Sequence, residues 1–329
     1  MKKIIRITDE KRGTVQITTQ DERWYSKPST DPITELPTFK PVPSSTWVAS
    51  YWPKGIGYMR WLAEHGWDEA EAIKSAAGDK GSAVHAALEM ILNGQEFRID
   101  TKVHDKARST EQEAVMRDLT AEEIVCIMAF LNWKAEIEQD YVIETLTTET
   151  NIFSDIHNFA GTLDWLVRLT PRPEGRNPLK LAGPTVFLTD FKTSQDIWDS
   201  HELQISSYGE AITNGENPIF ERNENGTETN RRVDISSLRL AILQIGYRRN
   251  KDGFKFTEIA NRFEDFKIAQ HIWKREHTSA KTGELNKPGF TQRDFPIVLS
   301  PARTAPKVDT ARPTSSEGGA KTTKSKAKK

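Results

Sequence analysis

The 329 residues hold 36% hydrophobic and 28% charged side chains, with 46 Lys and Arg against 47 Asp and Glu. That composition suits a globular chain of one large domain or two ordinary ones. No run approaches the roughly 18 apolar residues of a membrane-spanning helix, and the opening MKKIIRITDEKRG has no apolar stretch of a secretory signal. The single cysteine, Cys126, excludes an internal disulfide, a four-cysteine zinc site and an iron–sulfur cluster. A reducing, cytoplasmic setting is therefore expected.

Residues 1–45 alternate weakly through Ile4, Ile5, Ile7, Val15 and Ile17, then turn proline-rich at Pro32, Pro37, Pro41 and Pro43. This predicts a short hairpin and an extended lead-in. Residues 54–93 read as helix with a break near Gly66 and Trp67. Gly78 and Gly81 predict a further interruption, with His85 in the first turns of a fresh helix. A third helix is expected over about 120–139, N-capped by Thr120 with Glu123 completing a capping box. The period then changes. Residues 142–153 and 159–169 read as strands joined by a turn at Ser154–Asn158. A loop rich in proline and glycine follows, either an exposed insertion or a substrate-facing flap. Thr185–Phe191 is a short apolar strand, 199–213 a helix and 214–235 a polar loop. Leu238–Arg248 and Phe254–Glu258 predict a hairpin, and about 261–277 a last helix. From about residue 281 the apolar content collapses, which predicts a disordered tail.

The net charge of −1 is unevenly spread: residues 301–329 carry +6 and the rest −7. A mildly acidic body with a basic tail fits a carboxylate-rich site and a tail that either touches phosphates or only solubilises the chain. The element order predicts an α/β (α+β) core, a small mixed sheet with helices on both sides.

Asp190 and Lys192 alternate along one strand and must share a face, with Phe191 opposite. An isolated Asp-x-Lys is usually a plain ion pair. Buried at a strand end, the pair needs something to hold it, and a divalent cation shared with Asp164 would do so. His85 and Glu89 stand at i and i+4 on one helix face, as do Gln204 and Tyr208.

In chain order these features are His85, then Gly161-Thr162-Leu163-Asp164, then Asp190-Phe191-Lys192-Thr193, then Gln204 and Tyr208. That succession resembles the PD-(D/E)XK nuclease superfamily, and within it the RecB-like branch common among phage exonucleases. The resemblance covers roughly residues 43–277. It implies a nuclease domain over 46–280, preceded by the lead-in of 1–45 and followed by the tail of 281–329. It implies Asp164, Asp190, the Phe191 carbonyl and His85 as ligands of Mg²⁺ or Mn²⁺, with Lys192 catalytic. Glu89 and Glu149 would support the site, and Gln204 and Tyr208 would position DNA. Lys80 and Ser82, at the start of the helix carrying His85, would donate to phosphate. Relatives with an iron–sulfur cluster carry four cysteines, so no such cluster is expected here.

The implied activity is metal-dependent hydrolysis of DNA phosphodiesters. An exonuclease of phage-type recombination, repair or replication is favoured over an endonuclease or a non-catalytic recombination scaffold. The expected partners are DNA, bound without sequence preference, and a phage single-strand annealing or recombination protein. No helix-turn-helix or zinc-finger pattern is present.

Overall fold

The computed structural model describes residues 5–9, 14–18, 22–30, 37–105, 115–222 and 228–285. The basic tail lies outside the described residues, apart from its first few positions.

Four antiparallel strands open the chain: β1 (Ile5–Asp9), β2 (Thr14–Thr18), β3 (Arg23–Thr30) and β4 (Pro37–Pro43), paired in sequence order. The sequence pattern gave only a hairpin and an extended lead-in. The difference is β3 and β4, whose prolines mask the period-2 signal. Pro37, Pro41 and Pro43 are tolerated because β4 is an edge strand, where a missing N–H leaves little unpaired.

Helix α1 (Ser45–Ala49) follows, N-capped by Ser44, and then α2 (Ile56–Leu92). Gly66 bends α2 at φ 73°, a conformation natural to glycine, so the expected break is there. The expected interruption at Gly78 and Gly81 is not: the helix runs through both. Each glycine costs a helix about 1 kcal/mol. Burial of Ala83, Val84, Ala87 and Leu88 along one face outweighs that cost. His85 is thus mid-helix. Lys80 and Ser82 do not stand at a helix N-terminus, and the backbone N–H groups expected there for phosphate are already spent within the helix.

A two-stranded pair, β5 (Val103–His104) with β6 (Met116–Arg117), precedes α3 (Ala121–Asp140). The expected capping box forms there, Thr120 N–H donating to Glu123 Oε2 at 2.8 Å and Glu123 N–H to Thr120 Oγ1 at 3.3 Å. The core strands are β7 (Tyr141–Ser154), β8 (Phe159–Pro171) and β9 (Thr185–Lys192), followed by α4 (Asp199–Thr213). A short antiparallel pair, β10 (Phe220–Arg222) and β11 (Glu228–Arg232), occupies part of the segment expected as a polar loop. The chain then forms β12 (Arg239–Ile245), β13 (Phe254–Ile259) and α5 (Phe263–Glu276).

The fold is mixed α/β. Its central sheet has the order β13-β12-β9-β8-β7, antiparallel except for the parallel pair β9–β12, with α4 in the connection between them. The side chains of β9 alternate between two apolar layers. Val186 and Leu188 pack toward α1, α4 and α5, and Phe187 and Phe191 toward α2 and α3. A sheet covered on both faces explains why β9 is an almost unbroken run of buried residues. The loop after β8 is tied to the end of α3 through Arg176 and Asp140, and none of its residues lines the main cleft. It lies away from the cleft and does not form a flap over it. No helix among the described residues is long and apolar enough to cross a membrane.

Candidate active site

The β8–β9 ladder ends at Trp165 and Thr189, while β9 continues to Lys192. The strands part there, and the Phe191 N–H would be left without a sheet partner. Asp164 takes that place: its Oδ2 accepts from Phe191 N at 2.8 Å. Its other oxygen faces His85 Nδ1 at 3.4 Å.

Asp190 and Lys192 share the α4-facing side of β9, as the alternation requires. Lys192 Nζ stands 2.6 Å from Asp190 Oδ2, with both side chains largely buried. Lys192 also reaches Gln204 Oε1 on α4 at 3.5 Å. Despite the close ion contact, neither carboxylate oxygen of Asp190 accepts a well-aligned hydrogen bond.

His85 approaches from the opposite face. Its Nε2 donates to the Phe191 carbonyl at 3.0 Å, since a carbonyl can only accept. Its Nδ1 lies 3.4 Å from Asp164 and 3.5 Å from Glu149 Oε1. Glu149 is the cross-strand neighbour of Asp164, between the pairs Thr148–Trp165 and Thr150–Leu163. An irregularity between Thr145 and Thr147 shifts the β7 register, and Glu149 itself has φ 42°, a left-handed conformation unfavourable for a side chain of this kind. Strain held at a site-lining residue is a common mark of function. One ligand atom each from His85, Glu149 and Asp164 lies within 4.8 Å of the others.

Around this floor opens a cleft of about 1350 Å³. Gln204 Nε2 donates to the Tyr208 hydroxyl at 3.1 Å, and the buried Tyr208 ring lies against the backbone of Gly161. Lys80, Ser82 and Glu89 line the α2 wall, with Lys80 paired to Glu122 at 3.1 Å. Every residue singled out in the sequence thus lies in or beside one cleft. Lys80 and Ser82 stand mid-helix rather than at its start, and Asp190 is held by Lys192, while Glu149 stands with Asp164 and His85.

The electrostatics follow from this crowding. Burial opposes a charge on His85, but Asp164 and Glu149 outweigh it and push its pKa up to about 10. Burial would raise Asp164, yet His85, Lys192 and the Phe191 N–H bring it below the ordinary carboxylate range. Asp190 moves the other way. Burial raises it, and the neighbouring Asp164 adds to this against the pull of Lys192. His201, also lining the cleft, is held neutral by burial and by the nearby Lys192 and Lys54, its pKa pushed down to about 2.

Sequence reasoning missed the wall formed by the N-terminal sheet. Gln16, Arg23 and Tyr25 line the cleft, and the Tyr25 hydroxyl meets Thr162 Oγ1 at 2.9 Å. Thr162 in turn donates to Asn151 Oδ1 at 2.6 Å. The adjacent Arg23-Trp24-Tyr25 was the available signal. No protein-family profile matches the chain, and no curated protein matches it.

Proposed function

We propose that the chain is a metal-dependent DNA nuclease built on a PD-(D/E)XK-like core, with exonuclease action favoured. The observation that carries this reading is the parting of β8 from β9. It opens the cleft floor at Asp164 and Lys192, with His85 and Glu149 beside them and Asp190 buried against Lys192.

The residues present fit a divalent cation. His85, Glu149 and Asp164 offer converging donor atoms, and the buried Asp190 carboxylate has lone pairs that no hydrogen bond uses. Oxygen donors with one imidazole accept Mg²⁺ or Mn²⁺ without selecting between them. When bound, such an ion acidifies a water molecule and withdraws charge from a phosphoryl group. The chain supplies the rest. His85 must give up a ring proton to serve as a donor. Asp164 is fixed by the Phe191 N–H and so holds its position. Lys192, tethered between Asp190 and Gln204, presents an ammonium to the substrate phosphate and can stabilise the negative charge that builds on it. Gln204 and Tyr208 shape the pocket for the adjoining nucleotide. DNA would be held without sequence preference, and a phage annealing or recombination protein is the partner class that suits this activity. A cytoplasmic location accords with it.

The test is cleavage of an end-labelled linear duplex and a closed circle, with Mg²⁺, Mn²⁺ or EDTA, beside Lys192→Ala. Metal-dependent shortening of the linear DNA alone, lost in the variant, is expected. Nicking of the circle would transfer the reading to an endonuclease. Binding without any cleavage would leave a scaffold.

A further inference from the structure

We propose that Arg23, on the N-terminal sheet, anchors a substrate phosphate in the cleft at a position separate from the phosphate being cleaved. The inference rests on the nuclease reading and extends it to a residue outside the motif set.

Arg23 begins β3, and its carbonyl accepts the Ser44 N–H at 2.8 Å, which fixes its backbone beside the start of α1. In β3 the side chains of Arg23 and Tyr25 share one face, while Trp24 turns into the core. Gln16, on the neighbouring strand and only 4% exposed, stands on that same face opposite Tyr25. With its amide oxygen toward Arg23, Gln16 accepts from both Nε and Nη2 of the guanidinium. That leaves the remaining N–H donors of the fork for the cleft.

No carboxylate among the described residues pairs with Arg23. The other cleft cations differ in this respect: Lys192 has Asp190, Lys80 has Glu122 and Lys74 has Glu71. A half-buried guanidinium held by a neutral amide, without a counter-ion, is poised for an external anion. Burial raises the Tyr25 hydroxyl pKa, and the charge of Arg23 opposes this while those of Glu149 and Asp164 add to it. Arg23 and Tyr25 line the same cleft as Glu149 and Asp164. A planar fork with free donors matches the oxygens of a phosphate. The ligand is a phosphate oxyanion of DNA, from an internal diester or a terminal monoester.

The experiment is fluorescence anisotropy in EDTA, over a range of salt, with internally labelled oligonucleotides. These carry a 5′-phosphate, a 3′-phosphate or neither. The proteins are wild type, Arg23→Ala and Arg23→Lys, each with its thermal melt. Arg23→Ala is expected to weaken binding by about tenfold to a hundredfold, as for loss of a charged hydrogen-bond pair. It should also flatten the plot of log affinity against log salt by about one phosphate contact. Arg23→Lys should keep the slope and lose affinity, because charge remains and the fork does not. A loss confined to one terminal phosphate identifies a monoester anchor, and a loss with all oligonucleotides an internal diester. Wild-type affinity and slope in Arg23→Ala would overturn the proposal, as would a lower melting temperature in both variants with the slope unchanged. If wild type cleaves DNA and Arg23→Ala keeps its KM, the anchor falls and the nuclease reading stands. If wild type neither binds nor cleaves, both fall.

Discussion

His85 sits where two demands meet. Its ring nitrogens face a carbonyl and two carboxylates, a setting made for an imidazolium, yet the same carboxylates are the donors a cation would use. In EDTA the folded state binds the proton of His85 more tightly than the unfolded chain does, because its pKa is raised to about 10. The resulting stabilisation is fully present below the unfolded value of about 6.5 and is lost as pH rises toward the folded value. Metal-free protein should therefore lose on the order of a few kcal/mol between pH 6 and pH 10, a loss that His85→Gln flattens. Denaturant melts at several pH values check this; equal slopes for wild type and variant would refute it. Gly161 acts through space alone. A Cβ there would stand 2.2 Å from the Tyr208 ring. Gly161→Ala should displace the ring, break its bond to Gln204 and cost about 1–3 kcal/mol. Tyr208→Ala should recover part of that loss in the double variant, so a double-mutant cycle reads the contact directly.

Among the elements, α4 and α5 share an apolar layer and are bridged at its edge by the polar contacts of Arg262. The Arg262 N–H donates to Ser206 Oγ at 2.9 Å, and its guanidinium reaches Asp199 and Glu202 at 2.6 Å and Asp265 at 2.8 Å. Arg262→Ala would leave Asp199 and Glu202 beside each other without a cation. The expected loss is about 1.5–3 kcal/mol in urea denaturation, as for hydrogen bonds to charged groups. The metal affinity of the folded protein should stay unchanged, because no side chain of that cluster touches the carboxylate floor. Isothermal titration with Mn²⁺ distinguishes the two effects. The elements themselves differ in how far the sequence disclosed them. β9 was legible because a run of apolar residues closed by Asp-x-Lys has few other readings. α3 was legible through its capping box. The helix through Gly78 and Gly81 was not, because the burial that outweighs two glycines is tertiary. β4 was hidden by prolines that only an edge position permits. Nor does any local rule announce the shifted register before Thr147 or the positive φ of Glu149. Hence Glu149 read as a supporting residue, while the structure sets it directly opposite Asp164.

At the scale of the whole molecule, the N-terminal sheet and the central sheet share one apolar layer. Trp24, 4% exposed, leaves β3 to pack edge-on against Trp47 of α1 and Trp273 of α5, at 5.3 and 6.1 Å between ring centroids. Its Nε1 donates to Glu22 Oε2 at 2.8 Å, so the ring is both buried and hydrogen-bonded. The wall that carries Arg23 is thus seated by the residue next to it. Two consequences follow. The two sheets should unfold together, so far-UV circular dichroism and tryptophan fluorescence should trace one coincident transition. Trp24→Ala should lower stability by about 3–5 kcal/mol, the usual cost of removing a large aromatic from a packed core. It should also weaken DNA binding under conditions where the variant remains folded, because the Arg23 side of the cleft loses its seat. Trp24→Phe, which keeps most of the ring, should restore much of both. An early transition confined to the N-terminal strands, with the central sheet melting later at its wild-type temperature, would show that the wall is only appended to the core. In that case the cleft, and with it the phosphate position assigned to Arg23, would not be a fixed property of the folded chain.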